Sequence, residues 1–94
     1  MPRKYPPLKP LEIIRILKKR TFILDHKEGS HHYYTACIGG KRRIVQVDMN
    51  FEDYTDRWLK VVIIQSGLSR EQFYASTRRT AKKINVPYAF GKKR

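Results

Sequence analysis

Two spacings of apolar positions run along this chain, and they divide it into helical and extended segments. Between residues 9 and 20, apolar side chains recur every three or four positions and charged ones fill the gaps, as in an amphipathic helix. Pro10 suits the first turn, because its ring fixes φ and its missing N–H has no helical partner to lose there. We therefore expect a first helix from Pro10 to about Arg20. Its predicted buried stripe is Pro10, Ile13, Ile14 and Leu17.

Beyond Arg20 the apolar spacing shortens to two, which is the period of a strand. Residues 21–24 predict the beginning of a first strand, and 25–29 form a polar run toward a turn. A second strand is predicted from 31 to 38 and a third from 41 to 48. The Gly39-Gly40 pair between them permits the positive φ angles of a tight hairpin turn.

Alternation assigns the two faces of this hairpin. The positions predicted to face the core are Tyr34, Ile38, Val45 and Val47. His31 then falls on the open face of the sheet, which the helices leave uncovered. His32 falls on the helix side, and His26 is interpreted as a surface residue.

Two further helices are predicted after residue 53. The first covers about 54–66 and ends at Gly67, since glycine readily takes the left-handed conformation that closes many helices. Ser69 and Gln72 have the spacing of a capping box, which predicts another helix over 70–83. The predicted buried stripe of the 54–66 helix is Trp58, Leu59, Val62 and Ile63.

The order of elements is α-β-β-β-α with an extra C-terminal helix. This order predicts an α+β fold, in which helices pack on one face of a three-stranded antiparallel sheet. One domain is expected over residues 9–84. An extended leader is expected at 1–8 and a flexible basic tail at 85–94.

Charge narrows the class of partner. The chain carries 21 Lys and Arg against 8 Asp and Glu, a net charge of +13, which attracts polyanions at long range.

Cys37 is the only cysteine, so neither a disulfide nor a paired-thiol metal site is expected, and a cytoplasmic location fits. No stretch has transmembrane length, so no membrane partner is expected. RNA is favoured over DNA, because no recognition helix follows a helix-turn-helix linker.

The segment from Lys27 to Tyr34 holds the candidate chemistry. Cleavage of RNA by its own 2′-hydroxyl needs proton transfers and no metal or other cofactor, and histidine exchanges protons readily near neutral pH. His31 is the candidate, although the residues alone favour a phosphate-contacting or surface histidine over a catalyst. The hairpin cations are expected close to His31. The candidate substrate-binding residues are Lys27, Gly29, Ser30, Tyr33, Lys41, Arg42 and Arg43.

Several segments, taken together, resemble the HicA toxin family. The similarity covers about residues 8–74, in order and at nearly the family's spacings. Gly-Ser-His at 29–31 and the Gly-Leu-Ser-x-x-x-Phe pattern at 67–73 are its most specific parts. The matching segments are 9–19, Phe22, 29–34, 45–47 and 63–73.

The resemblance implies a double-stranded-RNA-binding-domain-like (dsRBD-like) fold and a toxin that cleaves mRNA. His31 matches the family's catalytic histidine, and a HicB-like antitoxin is expected to cover it. DNA would be contacted only through the antitoxin complex. Asp48 replaces a second histidine of many members; sharing the open face with His31, it would orient the imidazole. Thr21 replaces the family's usual glycine.

The same features leave a second interpretation open. A non-catalytic RNA-binding module on this dsRBD-like fold would read A-form shape and 2′-hydroxyls without cleaving.

Overall fold

Seven helices and strands follow one another in the computed structural model, which describes residues 5–91. The three strands form one antiparallel sheet in the order β1-β2-β3. The α+β class with a three-stranded antiparallel sheet is therefore confirmed. The elements are α1 (Pro10–Lys19), β1 (Ile23–Glu28), β2 (His31–Ile38), β3 (Lys41–Asp48), α2 (Asp56–Ser66), α3 (Arg70–Tyr74) and α4 (Arg78–Lys83).

The core lies between the helices and one face of the sheet. Tyr34, Val45 and Val47 are buried on that face, as alternation predicted. The apolar stripe of α1 is buried against them, with Ile16 added to the predicted positions. The other core side chains include Phe22, Leu59, Val62, Ile63, Phe73 and Tyr74. This packing leaves the opposite face of the sheet open.

Strand β1 is longer than the sequence predicted. The polar run after Leu24 was expected to lead into a turn, but it continues the strand to Glu28, with a bulge between Leu24 and His26. All six residues of β1 are exposed. An edge strand held by backbone pairing needs no apolar alternation, so its side chains gave no strand signal.

The buried stripe of α2 was predicted one residue too wide. Leu59, Val62 and Ile63 are buried, but Trp58 is 49% exposed. The helix packs its buried stripe against β3, and Trp58 lies beside that stripe in edge-to-face contact with Phe51, 5.9 Å between ring centroids. The prediction that Trp58 belongs to the core is therefore wrong.

The predicted helix over 70–83 is two short helices. Its start is confirmed, since the Ser69 hydroxyl accepts the Gln72 N–H at 3.0 Å and the Gln72 side chain accepts the Ser69 N–H. The break covers residues 75–77. Thr77 caps α4 by accepting the Thr80 N–H at 3.1 Å, because a threonine hydroxyl satisfies a helix start better than a helix interior.

Packing extends past both predicted domain boundaries. Leu8 is fully buried and exchanges two backbone hydrogen bonds with Tyr54, at 3.0 and 2.7 Å. At the other end, the Ala89 N–H donates to the Ala75 carbonyl at 2.8 Å. The remainder of the predicted leader and tail, 1–4 and 92–94, lies outside the described residues. Within residues 5–91, no helix is both long and apolar enough to cross a membrane.

Candidate active site

The β1–β2 turn places His31 at one end of the open face. Glu28 pairs with His31, so Gly29 and Ser30 alone make the turn. Gly29 has a φ of 60°, which glycine adopts without the strain that a side chain would bring. The space beside it is open, since an added Cβ would meet nothing within 4 Å. The Ser30 carbonyl accepts the Met49 N–H at 2.8 Å, which ties the turn to the end of β3.

His31 and Asp48 face each other across β2 and β3. They are register partners, and Nε2 of His31 lies 3.3 Å from Oδ2 of Asp48. The side chain of His31 is 42% exposed and that of Asp48 is 20% exposed. The predicted sharing of the open face is therefore observed, and a ligand can reach the imidazole.

Two hydrogen bonds and the contact with His31 fix the Asp48 carboxylate. Oδ1 accepts the Ser30 hydroxyl and the Asn50 N–H, both at 2.9 Å. The Asn50 N–H bond is the largest cause of a pKa for Asp48 below its ordinary value; Ser30 and His31 act in the same direction, and partial desolvation opposes them. Asp48 is therefore a positioned anion next to His31 at neutral pH. The hydroxyl proton of Ser30 is already engaged by Asp48, so donation to a phosphate requires breaking that bond.

His26 lies exposed on the same face, as expected of a surface residue, but its contacts there were not predicted. Its ring stacks on Tyr33 at a centroid distance of 4.4 Å, with planes 6° apart. Nδ1 lies 2.7 Å from Oδ2 of Asp25, and Nε2 lies 3.6 Å from Oε2 of Glu28. Because strand β1 was not predicted beyond residue 24, alternation had not assigned His26 a face. We call Asp25, His26, Glu28, His31 and Asp48 the His31 end of the sheet.

The hairpin cations do not surround His31, and that prediction is wrong. Lys41 pairs with Ile38 at the closed end of the hairpin, whereas Asp48 pairs with His31 at the open end. Seven residue-to-residue steps along the strand separate the two ends, about 23 Å at 3.3 Å per step. An antiparallel hairpin places the residues next to its turn far from those at its open end.

Of the remaining candidate cations, only Arg42 shares the open face with His31. Its Nε donates to the Thr35 hydroxyl at 3.1 Å, and its Nη2 lies 3.9 Å from Oδ1 of Asp25. Arg43 is on the helix side and lies over Gly67, where an added Cβ would come within 2.6 Å of its Nε. Lys27 pairs with His32, on the helix side of the exposed edge strand.

A second charged region lies on the helices. Three hollows share Arg15 between α1 and the segment that contains α4. One of about 570 Å³ is also lined by Asp53; the other two, of about 480 and 200 Å³, are not. Within residues 5–91, none of the cations lining these other two has a carboxylate within ion-pair distance, although Glu12 lines the smaller of them. We call these residues the α1–α4 cationic surface; they are Arg15, Lys18, Lys19, Arg78 and Arg79.

No family model and no curated protein matches this chain. The resemblance to HicA toxins therefore stays a hypothesis. Among the described residues, no three His, Cys, Asp or Glu side chains are grouped so that they could hold a metal ion.

Proposed function

We propose that this protein is a HicA-like endoribonuclease that cleaves mRNA in the cytoplasm without a metal ion. The observation that carries the proposal is the His31–Asp48 pair, in which a reachable imidazole lies 3.3 Å from an anchored carboxylate. Histidine is suited to proton transfer near neutral pH, and a carboxylate on one ring nitrogen fixes the orientation of the imidazole.

The reaction needs one proton removed and one supplied. His31 takes the proton of a ribose 2′-hydroxyl, whose oxygen forms a bond to the adjacent phosphorus. The bond from phosphorus to the 5′-oxygen breaks, and that oxygen takes a proton from solvent or from a second acid. The products carry a 2′,3′-cyclic phosphate and a 5′-hydroxyl. Asp48 contacts Nε2 of His31, which leaves Nδ1 for the substrate.

His31 is a better candidate than the other two histidines. Both ring nitrogens of His26 already face carboxylates, and one face of its ring is covered by Tyr33. His32 is directed to the helix side of the sheet by alternation with Tyr34. Only His31 combines the open face with a single carboxylate partner among the described residues.

The conformation of Thr21 supports the family resemblance. Its φ is 71°, in the left-handed region that costs a residue with a Cβ about 1–2 kcal/mol and a glycine little. HicA-like proteins usually have glycine at this position. The backbone of this chain therefore has, between α1 and β1, the turn that such a glycine favours.

The RNA backbone is proposed to contact the α1–α4 cationic surface, since uncompensated cations there attract phosphates. A HicB-like antitoxin is proposed to cover the His31 end. DNA would be contacted only through that complex.

A cleavage assay in EDTA tests the proposal. Labelled single-stranded RNA is incubated with wild type, His31→Ala and the matched open-face control His26→Ala. We expect wild type and the control to cleave, and His31→Ala to bind equally but cleave roughly 10²–10⁴-fold more slowly. Products should end in 2′,3′-cyclic phosphate. Wild-type rates in His31→Ala, or products ending in a 3′-hydroxyl, would contradict the mechanism.

One observation favours a second candidate, a non-catalytic RNA-binding module. The cations expected to neutralise a phosphorane beside His31 lie at the other end of the hairpin. If neither wild type nor His31→Ala cleaves and both bind RNA equally, the module is the better account.

A further inference from the structure

A hollow of about 240 Å³ adjoins the His31 end on the side of α2. We call it the Trp58 hollow. It is smaller than the roughly 300–1,000 Å³ of pockets that hold drug-sized ligands, so its size suits one planar ring system. The residues that matter here are the aromatic Phe51, Tyr54 and Trp58 and the polar Gln46, Asp48 and Gln65.

On the aromatic side of the hollow, Phe51 and Tyr54 pack against each other, whereas Trp58 is partly exposed. Phe51 contacts Tyr54 at a centroid distance of 4.7 Å and meets Trp58 edge to face at 5.9 Å. Tyr54 is buried, and its hydroxyl accepts the Asp48 N–H at 2.7 Å. Trp58 is 49% exposed, so indole surface remains available for stacking.

The polar side of the hollow presents an anchored amide. Oε1 of Gln65 accepts the backbone N–H of Gln46 at 3.3 Å. That bond fixes the carboxamide at the outer edge of β3 and leaves its NH₂ group as a donor. Unstacked bases stack on aromatic side chains and are hydrogen-bonded at their edges, and an amide side chain offers both a donor and an acceptor for such an edge.

The lining favours a base over a phosphate. None of the described residues lining the hollow is a cation, and the one charged residue there is the anion Asp48, so the hollow itself offers a phosphate no cationic partner. A nucleobase has a π-face for Trp58 and hydrogen-bonding edges for an amide. Asp48 also contacts His31, so a base held here lies next to the proposed reacting phosphate.

We propose that the Trp58 hollow binds one nucleobase of the RNA, next to the phosphate that the 2′-oxygen attacks once His31 has taken its proton. The substrate position rests on the proposed function, whereas base binding itself can be measured without cleavage. The hollow would thereby help choose where the strand is cut.

Trp58 is the only tryptophan in the chain, so its fluorescence reports on the hollow directly. The probe is a short, fully 2′-O-methylated RNA, which cannot be cleaved through its 2′-hydroxyls. A matched oligonucleotide with the same backbone but no bases is the control. We expect the base-containing probe to quench Trp58 emission and the abasic one to leave it unchanged. Equal responses to the two probes would overturn the proposal.

Variants test the same site through affinity. Trp58→Ala should weaken binding of the base-containing probe by roughly 5- to 150-fold, as loss of one stacked base does, and Trp58→Phe should recover part of it. Ile64→Ala is the matched control, since Ile64 is 64% exposed on the same helix. An unchanged affinity in Trp58→Ala, or an equal loss in Ile64→Ala, would contradict a base site here.

The two proposals fail separately. Quenching by bases without any cleavage of ordinary RNA would retain the base site and remove the nuclease. Cleavage that requires His31, with no response of Trp58 to bases, would retain the nuclease and remove the base site.

Discussion

The two charged regions of this protein are built in opposite ways. At the His31 end, each histidine faces a carboxylate, His31 at 3.3 Å from Asp48 and His26 at 2.7 Å from Asp25. On the α1–α4 cationic surface, no cation has a carboxylate within ion-pair distance among the described residues. Contacts with carboxylates hold the two imidazole rings in place, whereas cations without a carboxylate partner attract a polyanion.

The net charge of +13 alone does not distinguish these two regions, but their contacts do. In the proposed function, the helices attract RNA and the open end of the sheet positions the proton-transfer group. Variants of the α1–α4 cationic surface should therefore change affinity, and variants of His31 or Asp48 should change the cleavage rate.

The largest effect among the supporting residues is expected at Asp48. Asp48→Asn keeps an acceptor for Ser30 and Asn50 but removes the charge beside His31. We expect the cleavage rate to fall about tenfold or more, with RNA affinity retained, because the imidazole of His31 loses the carboxylate that orients it. Glu28→Gln, on the same face, is the control. An unchanged cleavage rate in Asp48→Asn would refute its positioning role.

A smaller effect is expected from the helical cations. The double variant Arg15→Ala/Lys18→Ala should weaken RNA binding and lower the slope of log affinity against log salt by about 0.7 for each phosphate that is no longer neutralised. Lys41→Ala/Arg42→Ala removes the same charge at the hairpin turn and should change the slope less. A larger change of slope in the hairpin variant would contradict this and would indicate that RNA binds near Lys41 and Arg42, as the sequence predicted.

A substitution in the turn between α1 and β1 should change the free energy of unfolding by about 1 kcal/mol. Thr21→Gly removes the conformational cost of a β-branched residue at a φ of 71°. Part of this gain is offset, because glycine loses more backbone entropy on folding. We expect the free energy of unfolding in urea to rise by about 1 kcal/mol, and Thr21→Ala, which keeps a Cβ, to bring no such gain. Equal stability in Thr21→Gly and wild type would contradict strain at this turn.

The smallest expected effect is on acid stability. The lowered pKa of Asp48 means that its ionised form stabilises the fold above its unfolded-state pKa of about 3.9, and that this contribution is lost as pH falls through the lower folded-state value. Wild type should therefore lose more stability on acidification below about pH 4 than Asp48→Asn does. Parallel losses in urea titrations of the two proteins would contradict the sign.

The sequence predicted elements well where burial imposes a period. β2 and β3 have their predicted bounds because one face of each is pressed against helices, which forces alternation. The capping box at Ser69 was equally readable, since its hydrogen bonds are local. His31 was placed on the open face by the same alternation that buried Tyr34 and Val45.

Other features could not be read from spacing. The exposed edge strand β1 has no alternation to detect, so the stack of His26 on Tyr33 was missed. Helical periodicity placed Trp58 next to the buried stripe of α2, but it could not tell whether the side chain is buried or exposed. That depends on how the helix packs against β3. The hairpin cations were misplaced because closeness in sequence was taken for closeness in space, against the antiparallel register of Lys41 and Asp48.

The division of tasks is tested most directly by single-turnover cleavage measured over a range of protein concentrations. We predict that His31→Ala lowers the maximal rate at least 100-fold at an unchanged half-saturating concentration. Arg15→Ala/Lys18→Ala should raise the half-saturating concentration and leave the maximal rate unchanged. A maximal rate in His31→Ala equal to that of wild type, or a rate effect in the helical variant as large as the one at His31, would contradict the account.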